Sequence, residues 1–235
     1  TDPQYPGYNL AIKDQYRFRQ WVREFHRYEK RGKLPTVQFL KFPNDHTCGT
    51  DPACPTPQAM VADSDWATGK LVDEVSHSQF WKDTAIFIIE DDAQDGPDHV
   101  DAHRTIGHVV SPYTQTGEVD STFYSSVSML KTMEMILGLS PLTQFDAAAT
   151  PMLNSFTGEP DFAPYKSVKP DQPLDEMNSK NAPMARTSSK LDLSREDIAP
   201  WHILNRAIWK GVRGGDSEMP APRHNLSIEE EEEEE

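Results

Sequence analysis

Residues 85–113, AIFIIEDDAQDGPDHVDAHRTIGHVVSPY, decide how the rest of the chain is read. Ala85-Ile86-Phe87-Ile88-Ile89 is β-branched and aromatic enough to predict a strand buried on both faces. Glu90, Asp91 and Asp92 follow at its end. A Gly/Pro loop then carries Asp95, Asp98, His99, Asp101 and His103, and a second apolar run, 106–110, leads into Ser111-Pro112-Tyr113. Between Glu90 and His103 stand six carboxylates and two imidazoles in 14 residues. In open α/β sheets ligands sit beyond the carboxyl ends of strands, so this is where a divalent cation would be held. Adjacent Asp91 and Asp92 point to opposite faces within a strand. Only a loop just past the strand lets both turn toward one ion.

Working outward, the upstream segments supply helix, strand, helix. DQYRFRQWVREFHRYEKR, 14–31, places Tyr16, Phe18, Trp21, Val22, Phe25 and Tyr28 at helical spacing, with Asp14 as the expected N-cap and Gly32 as the stop. LPTVQFLKF, 34–42, predicts a short strand that breaks at Pro43-Asn44-Asp45-His46. That break is a second polar cluster at a strand end, and turn chemistry alone would also explain Asn and Asp there. Residues 56–76 predict a helix with a stripe of Met60, Val61, Trp66, Leu71, Val72 and Val75. Downstream, 122–139 predicts a helix ended by Gly138 and Pro141. Residues 157–190 hold five prolines and little apolar periodicity, and read as an extended strap. A late helix is expected over 194–210, capped by Ser194 and kinked or delayed by Pro200.

The expected fold is α/β: a partly parallel sheet flanked by helices, with the extended strap at the C-terminal side. The expected division is a domain over 1–151, the strap with one late helix over 152–228, and a poly-Glu tail over 229–235. Of the formal charge of −15, the seven glutamates of that tail supply −7. The remainder is still acidic, which argues against nucleic acid and anionic membrane surfaces as partners. No apolar run is long enough to span a bilayer. No signal-peptide pattern opens the chain at Thr1-Asp2-Pro3, which leaves an upstream segment open. Cys48 and Cys54, in TCGTDPACPTP, read as a disulfide that would place the protein in an oxidising compartment, secreted or periplasmic; two free thiols or two soft metal ligands are the alternatives.

LPTVQFLKFPNDHT, the long run from Ala59 through Arg104, and VVSPYTQTGEVDSTFYSSVSMLKTMEMILGL together resemble the C-terminal half of the bacterial phosphoesterase family. That family holds phospholipase C-like and acid phosphatase-like enzymes and belongs to the alkaline phosphatase superfamily. The likeness covers about 1–151 and returns in PWHILNRAIWKGVRGGDSEMPAPRH. It implies an alkaline phosphatase-like fold, here incomplete, and a metal-dependent hydrolase of phosphate esters. By resemblance Asp91 and Asp92 occupy the metal-binding pair, His46 the histidine of the earlier strand end, and His103 the histidine after the pair. His99, in the matching Asp-His-Val run, competes with His103 for that place. His46 and His103 would bind a second ion or the phosphate itself, and His99, Asp45 and Asp98 are further candidates for metal or phosphate. The ion would be zinc, manganese, iron or calcium. DDAQDGPDHVD does not reproduce the D-x-D-x-D-G spacing of an EF-hand.

The resemblance also implies a Ser, Thr or Cys nucleophile that attacks phosphorus in line, giving a covalent phosphoenzyme that water hydrolyses. In the family that nucleophile lies in the N-terminal half, and only about 33 residues precede the first matched strand. It is therefore expected upstream of Thr1, with the chain acting as a fragment or beside a second chain. Thr47 is the nearest hydroxyl to His46, and nothing in the pattern places the nucleophile there. The competing reading is a non-catalytic metal-binding or interaction module that keeps the fold without turnover.

Overall fold

An aromatic residue every third or fourth position makes one side of a helix apolar, and the chain uses this early. The computed structural model describes residues 2–91 and 93–225. In it, α1 runs Asp14–Arg31 and buries Phe18, Trp21 and Phe25, the last two stacked 4.9 Å apart. Gly32 ends the helix at φ 65°, a left-handed turn that glycine adopts without the Cβ clash. Asp14 is not the cap expected of it. Lys13 holds that position without a side-chain bond, and Asp14 is the first helical residue. Its carboxylate is spent on a buried network described below.

Residues 34–42 form no strand. Propensity needs a pairing partner to become a strand, and no described segment forms a ladder with this one. Val37 is 45% and Phe39 88% exposed, while the Gln38 side chain accepts a bond from Trp21 Nε1. A 3-10 turn, Pro43–His46, follows directly. α2, Pro57–Ser76, buries Ala59, Met60, Ala67, Leu71, Val72 and Val75, with Val61 of the expected stripe left 47% exposed.

The sheet differs from expectation in direction and size. β1, Ile86–Ile89, pairs with β2, Gly107–Val110, in antiparallel register, Ile86 opposite Val110 and Ile89 opposite Gly107. The described residues hold this two-stranded sheet and no parallel one. A parallel neighbour needs a crossover, and the described residues between β1 and β2 contain no helix, so β2 returns along β1. The strands are not buried on both faces: Ile86, Phe87 and Ile88 are half-buried and Ile89 is 38% exposed.

α3, Ser126–Leu137, starts four residues later than its apolar pattern. Thr122 and Tyr124 both bond the Asp120 carboxylate, which holds that stretch in a turn. Ser125 and Ser128 then cap each other's backbone. A short α4, Gln144–Ala148, and α5, Ala185–Ser188, precede α6, Trp201–Arg213. Pro200 sits at the N-cap of α6, so the proline delays the helix rather than kinking it. The described residues end at Asn225, so the poly-Glu tail expected over 229–235 lies outside them.

Two compact units result. One takes Thr1–Glu74, Asp92–Thr105 and Lys166–Glu235; the other takes Val75–Asp91 and Ile106–Tyr165. In the first, the strap is fastened by polar bonds. Ser167 donates from backbone and side chain to Asp73, and the buried Asn178 amide reaches the carbonyls of Gly49, Asp51, Cys54 and Pro55. In the second, Trp81 packs edge-on against Tyr165 and Phe87 lies 6.4 Å from Phe156. No helix among the described residues is long and apolar enough to cross a membrane.

Candidate functional site

The turn Pro43–His46 is held from beneath by side chains of α1 and α2. The Asn44 backbone N–H donates to Asp14 Oδ2 at 2.9 Å, and its side-chain amide donates to Asp63 Oδ2 at 2.7 Å. The Asp14 N–H donates to the same Asp63 oxygen at 2.6 Å. Arg17, fully buried, donates to Asp14 Oδ1 and to the carbonyls of Pro6, Gly7, Asn9 and Ile12. One helix turn therefore gathers the N-terminal coil and the turn together. Among the described residues Asn44 Oδ1 and Asp63 Oδ1 are buried without a hydrogen-bond partner.

Burial pushes the Asp14 carboxyl up to about 7, against the opposing pull of the Asn44 N–H and Arg17. The folded chain thus holds a proton that the unfolded chain releases near its ordinary value of 3.8. Where the native state binds more protons, stability falls as pH rises. This group's contribution should therefore decline between about pH 4 and pH 7 and stay flat above. Urea midpoints measured from pH 4 to pH 8 should show that decline in the wild type and a shallower one in Asp14→Asn. Parallel slopes would assign the effect elsewhere.

His46, half-buried, lies with Nδ1 3.0 Å from the Thr47 carbonyl, and its ring meets Tyr8 edge-on at 5.8 Å. Thr47 itself is 2% exposed, sits at φ 62°, and its Oγ1 accepts the Gly49 N–H. A buried hydroxyl engaged in a turn is no nucleophile presented to a substrate. Cys48 and Cys54, next along the chain, form a disulfide with Cα atoms 6.2 Å apart.

The carboxylate loop reaches the His46 turn within the same unit. His46, Gln94, Asp197, Ala199, Trp201 and Leu204 line one small hollow of about 60 Å³. Gln94, Asp95 and Asp197 all have φ between 50° and 59°, conformations that cost non-glycine residues energy and cluster where structure serves function. The Asn205 side chain of α6 holds the Gln94 carbonyl at 2.7 Å.

Within the loop the carboxylates divide by task. Asp98 accepts the N–H groups of Val100 and Asp101 and a forked bond from Arg104. The Val100 N–H first and Arg104 next hold its carboxyl down at about 2. It is a loop-shaping group rather than a spare ligand. Asp101, fully buried, has Oδ1 2.8 Å from His103 Nδ1. That bond leaves Nε2 as the ring's acceptor, the usual preparation of an imidazole for a metal. Asp95 Oδ1 lies 2.5 Å from His224 Nε2 and holds that imidazole above its ordinary range. The His103 and His224 rings are 5.1 Å apart. His99 is turned outward, its side chain 85% exposed.

Of the expected site residues, the structure brings Asp98, His103 and their loop into one unit with His46 and Asp45. Asp45 is half-buried in the turn, and Asp91 is exposed just past β1. Asp92 lies outside the described residues. A carboxylate-backed imidazole such as His103 is the kind of nitrogen that serves divalent ions. Among the described residues no three His, Cys, Asp or Glu side chains converge on one ion position. Sequence reading passed over His224, Asp14, Arg17 and Asp63. His224 stands in Gly/Pro coil with no periodicity to single it out, and Asp14 looked like an ordinary helix cap.

Comparison with known proteins adds one match. No curated protein matches the chain. The model of the Phosphoesterase family matches residues 3–140.

Proposed function

The chain belongs to the Phosphoesterase family, and on that premise we propose that it serves the hydrolysis of phosphate esters with a divalent metal ion. The observation that carries the metal reading is the His103–Asp101 pair, an imidazole whose Nδ1 is taken by a buried carboxylate and whose Nε2 keeps its lone pair for an ion. His103 would supply a nitrogen ligand, and Asp91 and Asp92 are proposed from the sequence as carboxylate ligands. His46 would hold a second ion or a phosphate oxygen through Nε2. A bound divalent ion would neutralise charge developing on the phosphoryl oxygens and acidify the attacking oxygen.

The chain's own residues orient and exclude. Asp101 fixes the His103 ring, Asp98 with Arg104 shapes the loop, and the Asp14–Asp63 network seats the turn that carries His46. Because Thr47 is buried and engaged, we place the nucleophile outside these 235 residues, in a preceding segment or a second chain, with the fold of the whole alkaline phosphatase-like. The acidic loop disfavours highly anionic substrates. The disulfide supports a secreted or periplasmic setting.

The test is hydrolysis of an aryl phosphate mono- and diester by the purified chain, with bound metal quantified in the same sample. Bound metal that Asp91→Ala and Asp92→Ala remove, without turnover, is the expected result for a half-site. Turnover by the chain alone would show that the nucleophile lies within it. Neither metal nor turnover would favour a non-catalytic interaction module.

A further inference from the structure

The carboxylate loop is fastened by three residues that lie more than 80 positions beyond the end of the family match. The Ala102 N–H donates to the Arg223 carbonyl at 2.7 Å, and Asp101 and His224 pair as an antiparallel bridge. Arg223 returns a guanidinium bond to the His99 carbonyl at 2.9 Å. The Asn225 side-chain amide donates to the Val100 carbonyl at 2.6 Å. His224, between them, bonds Asp95 through Nε2 and lays its ring against His103. Backbone and side chains of 223–225 thus engage Asp95, His99, Val100, Asp101, Ala102 and His103.

We propose that Arg223-His224-Asn225 is a clasp over this loop and that His224 is a positioning residue for the His103 imidazole. Other elements reach the loop from outside: beside 223–225, the Asn205 side chain holds the Gln94 carbonyl. Only Asp101 and Ala102 of its described residues are buried, and Gln94 and Asp95 sit in left-handed conformations that the surroundings must impose. Within it Asp98 accepts bonds from Val100, Asp101 and Arg104, and such local bonds shape a turn without anchoring it. The clasp does the anchoring at two levels. Its backbone pairs with the very residues, Asp101 and Ala102, that precede His103. The His224 ring lies against the His103 ring at 5.1 Å, while the Asp95 bond keeps the His224 ring in place. Such outer partners set the affinity of a ligand they never touch, by tenfold to a hundredfold in metal sites.

This rests on the reading of His103 as a metal donor, so the test has one arm independent of it. Amide hydrogen exchange of 99–103 and equilibrium binding of zinc and manganese are measured on the full chain, for wild type, His224→Ala and His224→Gln. Glutamine can restore the donor to Asp95 from its Nε2 without an imidazole. Expected is exchange of the Ala102 amide at least tenfold faster in His224→Ala and near wild type in His224→Gln, with the thermal midpoint little changed. Zinc affinity should fall by roughly tenfold to a hundredfold in His224→Ala and recover in part in His224→Gln. Unchanged exchange in His224→Ala, or His224→Gln as poor as alanine, would overturn the clasp. If wild type binds neither ion, the metal reading of the loop fails, and the exchange result alone decides the clasp.

Discussion

At pH 8, where the Asp14 carboxyl is ionised, replacing Arg17 with methionine should destabilise the protein by about 3–5 kcal/mol, the cost of leaving that buried charge without its partner. The guanidinium is fully buried and reaches five acceptors, four of them backbone carbonyls of Pro6, Gly7, Asn9 and Ile12 and the fifth Asp14. Methionine fills much the same volume, so the loss isolates hydrogen bonding and charge from packing. Four carbonyls would lose their donor and Asp14 would lose its counter-charge. Equilibrium urea unfolding measures it directly. A companion variant, Arg17→Met with Asp14→Asn, should recover part of the loss, because the carboxylate it would strand is gone. A shift under about 1 kcal/mol in the single variant would mean that the buried network relaxes into water and does not organise the N-terminal coil.

Loss of the Cys48–Cys54 disulfide should cost about 2–3 kcal/mol, from chain entropy returned to the unfolded state across a short loop. The bond closes a loop of sequence separation 6, and that loop presents the carbonyls of Gly49, Asp51 and Cys54 to Asn178. Its loss should therefore loosen the strap as well as lower global stability. The measurement is a urea midpoint for Cys48→Ser/Cys54→Ser beside wild type, with exchange of the Asn178 amide, which donates to the Cys54 carbonyl at 3.1 Å. An unchanged midpoint would show that the loop is held by its polar bonds to the strap alone.

Local patterns were legible wherever one element decided its own form. The aromatic spacing of 14–31 and the glycines at 32 and 138 marked real helices and their ends, and Pro200 marked a late start. The acidic density of 90–103 and its imidazoles marked a polar loop, which the structure sets between β1 and β2. Family membership was legible too, because several motifs stand in order along the chain. Strand direction was not. LPTVQFLKF has the composition of a strand and joins no ladder among the described residues, and β1 took an antiparallel neighbour because no crossover helix intervenes among those residues. Backbone pairing is a property of two segments, and one segment's composition cannot state it.

The division of labour among the carboxylates was equally hidden. Asp98 and Asp101 look alike in DHVDAH, yet one is bound by Arg104 and shapes the loop while the other is buried behind His103. Asp14 reads as a helix cap and is instead joined to Asn44 and Arg17 in the interior. What the sequence determined by itself is therefore the helices, the family and the place of the polar loop, since these follow from spacing along one chain. Which carboxylate is shielded, which imidazole is oriented, and that His224 reaches back 121 positions to His103 were decided by the tertiary structure alone. Hydrogen bonds and burial depend on distance in space, and a coil such as APRH carries no periodicity that encodes where it docks.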